Sequence, residues 1–182
     1  MPVEPLRAHF LTRSAYYRGL LHYSDAPGAA RPRLLDFLNA RARGRGAADR
    51  SSAVLRLDDA ELTVYQGASR IVVQAPIVSV AMDAVVVAFD ESRLSTGPPP
   101  KAAYEARMAM EKEPVVVLTR TRHRLTGLVR GGLKRLSIQA SDEPFVAVTD
   151  VTIEDLSTDG RSPATLLFVA LNVDFVEAFW TP

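Results

Sequence analysis

The chain has 182 residues, 47% hydrophobic and 24% charged, which is the composition of a globular protein and excludes a disordered one. Its formal net charge of +1 gives no bulk attraction to nucleic acid or to a membrane. Cysteine is absent, which excludes disulfides, thiolate nucleophiles and Cys-ligated zinc and favours a cytoplasmic setting.

Residues 1–7 read as a loose lead-in without the apolar core of a signal peptide. A strand pair is expected at Phe10–Thr12 and Tyr16–Tyr23, turning at Arg13–Ala15. The breaker-rich segment Ser24–Arg33 follows. In RLLDFLNARARG, Leu34, Leu35, Phe37 and Leu38 can form one apolar patch on a short helix, with Gly44 as its stop. The basic run Arg41–Arg50 reads as a loop. Strands are expected at Ala53–Leu57, Ala60–Gln66, Ser69–Gln74, Ile77–Met82 and Ala84–Phe89, all β-branched-rich and of strand length. Pro76 cannot donate to a ladder and marks a break or an edge. The stretch Ile71–Phe89 is interrupted by Gln74, Pro76, Ser79 and Asp83, so it is not the run of about 20 apolar residues that a membrane span needs.

Residues 91–100, with three consecutive prolines, read as a semi-rigid linker. Lys101–Glu113 is rich in helix formers, with Tyr104 and Met108 four apart, and Pro114 is expected to end that helix. Further strands are expected at Val115–Thr119 and Arg124–Val129 around a turn at Arg120–His123. Phe145–Thr149, Thr152–Glu154 and Thr165–Phe179 are the remaining strands, with the polar turn Ser157–Pro163 before the last.

The chain carries the same programme twice. Leu11-Thr12-Arg13 through Gly19 matches Leu118-Thr119-Arg120 through Gly127 with one residue inserted, and Arg33-Leu34 matches Arg135-Leu136. Leu55–Leu62 matches Val146–Ile153, with Asp59 on Asp150, and Ser69–Met82 matches Thr165–Ala178 in apolar pattern. The expected organisation is mainly β: one small barrel over 8–90, a Pro-rich linker and helix over 91–113, and a second small barrel over 114–182, related by internal duplication. Units this small have marginal cores alone.

The second unit resembles an Sm-like, or more broadly SH3-like, small barrel. A strand pair with a central Gly (VVVLTRTRHRLTGLV) precedes a middle strand (FVAVTDVTI) and a closing apolar pair (TLLFVALNVDFVEAF). The stretch RLLDFLNA resembles the Arg-Leu-x-Asp-x-Leu-Asn element of an uncharacterised bacterial domain family, which implies no known activity. An RNA-binding Sm protein would carry an Asp-x-x-x-Asn element after the central Gly and an Arg-Gly near the last strand pair. Neither stands here, so the resemblance bears on fold more than on RNA binding.

No catalytic or metal-binding residues are assigned. His9, His22 and His123 lack metal-ligand spacing, and no phosphate-cradling, dinucleotide or nucleophile-elbow pattern occurs. No cofactor is implied. The carboxylates at Asp58, Asp59 and Glu61, and at Asp142, Glu143, Asp150, Glu154 and Asp155, read as solvated charges, with the matched Asp59 and Asp150 satisfying turn backbone groups. Acid–base chemistry would need Asp59 or Asp150 desolvated in a cleft. Arg120, Arg122, Arg124, Arg130, Lys134 and Arg135 form a basic stretch without an intervening acid, and the first three would share a face in extended chain. They are the candidate binding residues, either for an acidic protein surface or for phosphates. The leading expectation is a cytoplasmic, non-enzymatic protein–protein adaptor, with a second copy of the chain as a further candidate partner and no membrane partner. The alternative is a nucleic-acid binder using the basic turn, disfavoured by the scarcity of stacking aromatics beside it.

Overall fold

The computed structural model describes residues 5–21, 33–43, 54–66, 69–91, 110–137, 143–156 and 164–182. It is mainly antiparallel β-structure. The chain divides into two units, Met1–Gly97 and Pro98–Pro182, at a point inside the linker expected over 91–113.

In the first unit β1 (Leu6–Thr12) and β2 (Ala15–Leu21) form a hairpin; α1 (Leu34–Arg43) follows, then β3 (Val54–Gln66), β4 (Ser69–Ala81) and β5 (Val85–Asp90). The strand order is β5-β1-β2-β3-β4. The second unit has β6 (Lys112–Thr119), β7 (His123–Arg130), β8 (Phe145–Asp155), β9 (Ala164–Asn172) and β10 (Val176–Trp180), in the corresponding order β10-β6-β7-β8-β9. Each sheet is therefore a four-strand meander whose fifth strand returns beside the first. Among the described residues no ladder joins β4 to β5 or β9 to β10, so neither sheet closes on itself through hydrogen bonds.

Inward-facing residues supply the cores. Leu6, Ala8, Phe10, Leu21, Leu55, Leu57 and Val85 are buried in the first unit, and Val115, Val117, Leu125, Val129, Phe145, Val148 and Val151 in the second. On α1 the buried positions Leu34, Phe37, Leu38 and Ala42 follow helical spacing. Phe37 N–H donates to the Arg33 carbonyl at 2.9 Å, and Asp36 sits in the first turn, where the helix dipole favours an acid. Where the first unit has α1, the second has a short 3-10 turn, Leu133–Leu136. Leu34 and Leu136, the expected counterparts, are each 1% exposed.

The two central glycines sit at matching bulges. Arg18 pairs with Glu61 and Leu20 with Asp58, so Gly19 faces both Asp59 and Ala60. Thr126 pairs with Thr152 and Leu128 with Thr149, so Gly127 faces both Asp150 and Val151. Asp59 (φ 48°) and Asp150 (φ 53°) take the left-handed conformation that lets the bulged strand bend, and Asp is among the few non-glycine residues that tolerate it. A Cβ on Gly127 would lie 2.9 Å from the Thr149 carbonyl oxygen, and one on Gly19 3.1 Å from that of Asp58. At Gly127 a side chain could enter only if the strand shifted, whereas at Gly19 the neighbours would have to give by a few tenths of an ångström.

Several boundaries differ from expectation. Leu6 and Arg7 belong to β1 rather than to a lead-in, because they pair with Leu21 and Leu20. Arg41 to Arg43 extend α1, and the remainder of the expected basic loop lies outside the described residues. Ala53–Leu57 and Ala60–Gln66 are one strand, β3, with Asp59 as its bulge; β8 likewise runs unbroken through Asp150. Pro76 does not interrupt β4. It lies opposite the bulged Asp59, between the pairs Asp58–Ile77 and Ala60–Ala75, on a strand at the end of its sheet where the missing N–H is tolerated.

Of the expected helix Lys101–Glu113, residues 101–109 lie outside the description, while Lys112, Glu113 and Pro114 are in β6. Pro114 stands beyond the β10 ladder, which ends at Val116, so its lack of a donor leaves no gap. The expected closing pair within Thr165–Phe179 is β9 and β10, separated by a 3-10 turn, Val173–Phe175, which Asn172 caps by accepting from Asp174 N–H at 3.1 Å. A matching 3-10 turn, Met82–Ala84, separates β4 from β5. These turns set the equivalence: Met82-Asp83-Ala84 corresponds to Val173-Asp174-Phe175. The match of Ser69–Met82 with Thr165–Ala178 is therefore five residues out of register, because runs of consecutive apolar residues fit at more than one offset.

Candidate functional site

The six basic residues fall into two groups. At the β6–β7 turn, Thr119 organises the backbone: its Oγ1 accepts from His123 N–H at 3.0 Å, and Arg122 N–H donates to the Thr119 carbonyl at 3.0 Å. Arg122 is left-handed (φ 62°), so Arg120, Arg122 and Arg124 are not in extended chain and do not share a strand face as expected. In the first unit Thr12 does the same work one residue shorter, its Oγ1 accepting from Ala15 N–H at 3.1 Å. The inserted residue of the second hairpin is thus accommodated by the left-handed arginine.

Arg120, Arg122 and Arg124 are exposed, but acids from β8 stand among them. Arg124 pairs with Glu154 (3.5 Å), its register partner, and His123 is the register partner of Asp155. Burial pushes the His123 imidazole below its ordinary pKa, with Asp155 opposing. The turn is therefore a mixed-charge tip. Sequence inspection missed this because the acids lie about thirty residues downstream.

Arg130, Lys134 and Arg135 stand at the far end of β7, roughly 20 Å from Arg124 at strand rise. Arg135 is held by Glu143 (3.1 Å). Lys134 is exposed and lines a shallow open depression with Met110, Glu113 and Gly132. One continuous basic surface is not formed.

A polar cluster lies in the first unit, around His9. Register places His9 between Arg18 on β2 and Phe89 on β5. The imidazole stacks on Phe89 (centroids 4.6 Å apart, planes within 7°), and its side chain is only 7% exposed. Nδ1 is hydrogen-bonded to the Tyr16 hydroxyl, and Nε2 lies 2.9 Å from Glu91 Oε1. The neutral tautomer that satisfies both contacts has Nε2–H donating to the carboxylate and Tyr16 O–H donating to Nδ1. Arg18 Nε lies 3.3 Å from the Glu91 carboxylate, without hydrogen-bond alignment, and Arg7 Nε 3.8 Å. Desolvation lowers the His9 pKa; Glu91 opposes it, and the two arginines reinforce it.

Both ring nitrogens are engaged inside the fold, so His9 ties β1, β2 and the end of β5 together rather than standing as a free base. The alternation of Arg7 and His9, facing Tyr16 and Arg18 across a tight hairpin, is a signal the sequence does carry. Glu91, 82 positions from His9, is not legible there. Asp59 and Asp150 are exposed and lie at bulges, not in a cleft. Among the described residues no group of His, Asp or Glu is gathered as a metal ion would need, and no helix is long and apolar enough to cross a membrane.

A third feature is apolar. β4 ends its sheet, and Ile71, Val72, Val73 and Ile77 along it are each 43–52% exposed. By register Ile71 and Val73 share a face with Val64 and Leu62, while Val72 shares the other with Thr63. An end strand with aliphatic side chains on both faces is a template for pairing with another chain.

Comparison with known proteins found no matching family model, no similar curated protein and no similar solved structure.

Proposed function

We propose that this chain is a non-enzymatic protein-interaction module, two duplicated Sm-like or SH3-like units, that receives a partner strand along β4. The observation that carries the reading is the run of exposed aliphatics on that end strand. Main-chain hydrogen bonds would supply affinity, and the alternating Ile71, Val72 and Val73 would supply selectivity. The shared strand order, the paired bulges and the 3-10 turn before each fifth strand support duplication of one small-barrel unit. The nucleic-acid alternative is weakened by Glu154 and Asp155, which stand on β8 opposite Arg124 and His123 at the foot of the basic turn it would use.

The test is retention of a partner polypeptide by immobilised protein, with Val72→Lys as comparison. A lysine on the edge opposes strand addition. The expected result is a stoichiometric partner retained by the native chain and lost from V72K. Equal retention by both, or by neither, refutes the reading.

A further inference from the structure

Resting on that reading of β4, we infer that the strand received is β4 of a second copy, paired antiparallel about a twofold axis at Val72. The usable edge has defined ends. β4 begins at Ser69, and Pro76 offers no N–H to a neighbour, which leaves Ser69–Ala75, whose midpoint is Val72. Centring the twofold there sets Val72 opposite Val72, Ile71 opposite Val73 and Arg70 opposite Gln74. Each is the same surface meeting itself, as an isologous dimer requires.

Charge complementarity favours this register. Arg70 is the one charged residue in the segment, so the symmetric pairing never sets like charges opposite. On the face that Arg70 shares, Gln74 Nε2 donates to Glu61 Oε2 at 2.9 Å on the neighbouring strand. Each Arg70 therefore arrives beside the second copy's Gln74–Glu61 pair, twice per dimer. On the other face Ile71 and Val73 meet the second copy's Val73 and Ile71, extending the apolar surface of Leu62 and Val64 across the joint.

The absence of native cysteine allows a direct test on the full chain. Sedimentation of the native protein at micromolar concentration should give twice the chain mass. Under mild oxidation Val72→Cys should form a disulfide dimer, since directly opposed strand residues lie within disulfide reach. Ile77→Cys, on the same strand beyond Pro76, should not, and reduced V72C should still sediment as a dimer. A monomeric native chain overturns the proposal, as does a dimer in which I77C cross-links as readily as V72C. If the native chain is monomeric yet retains a different polypeptide that V72K loses, self-pairing fails and the interaction reading stands. If V72K changes neither mass nor retention, both fail.

Discussion

The two units have matching strand ladders and differ in where they put charge on them. One row crosses the first sheet as Phe89, His9, Arg18, Glu61 and Gln74, each residue the register partner of the next. The equivalent row of the second sheet is Trp180, Val116, Thr126, Thr152 and Thr165. In the adjoining row nearer the first hairpin the contrast reverses. The first unit has Leu11, Tyr16, Thr63 and Val72, and the second has Leu118, Arg124 and Glu154. Thr63 Oγ1 is buried without a partner, whereas Arg124 and Glu154 form an ion pair. The backbone plan thus tolerates ionic residues in either row, and each unit uses a different one. Positions that match are those the bulges and turns dictate. Positions that differ are free to specialise.

The sharpest challenge to this division is at the matched glycines. Gly127→Ala should destabilise the protein by about 1–3 kcal/mol, because the new methyl would meet the Thr149 carbonyl oxygen and the Val148 side chain at 2.9 Å, and Gly19→Ala should have a smaller effect. Gly127→Ala should be the worse, its contacts being closer. Urea unfolding measures both, and a neutral G127A would show that the bulge relaxes easily and is no shared constraint.

At the differing position, His9→Val gives the first unit the residue that stands at Val116 in the second. Losing the bonds to Tyr16 and Glu91 should cost about 1–3 kcal/mol. A pH profile separates this from simple loss of packing. His9 and His123 both have folded pKa values below the ordinary 6.5, so the unfolded chain takes up protons that the folded chain refuses. The stability they give is complete above pH 6.5 and declines as pH falls below it, by up to about 1.4 kcal/mol per pH unit per histidine. H9V should make that acid-side decline shallower; an unchanged profile would mean that His9 does not titrate differently in the two states. The smallest effect belongs to the exposed pair: Glu154→Ala should change stability by at most about 1 kcal/mol. A larger loss would show that the second unit's ionic row is structural.

The β-rich character and most strand positions were legible because alternation and β-branching are local. The matched Gly and Asp were legible too, and they prove to be the two sides of each bulge. What escaped was whatever depends on partners distant in the chain. Glu91 completes the His9 cluster, and Glu154 offsets Arg124, from places no spacing rule reaches. The place of the turn in the closing pair, Val173–Phe175, was blurred because Val173 and Phe175 are as apolar as the strands around them; only Asn172 and Asp174 mark it. The six basic residues of the expected site fall into two groups for a simple reason of length, since a strand of eight residues holds its ends far apart.

The left-handed aspartates have one more consequence. Before Asp59 the odd-numbered Leu55 and Leu57 point inward; after it the even-numbered Ala60, Leu62 and Val64 lie on that side. Around Asp150 the same phase change runs from Val146 and Val148 to Val151 and Ile153. The aspartate therefore acts as a counter as well as a bend: it inserts one step in a two-step rhythm. Exchanging it for glycine keeps the count. Forcing it into the ladder as an ordinary strand residue would turn Glu61 onto the face that Leu55 and Leu57 occupy and Leu62 and Val64 off it, so at this point the fold depends more on the number of residues than on their identity.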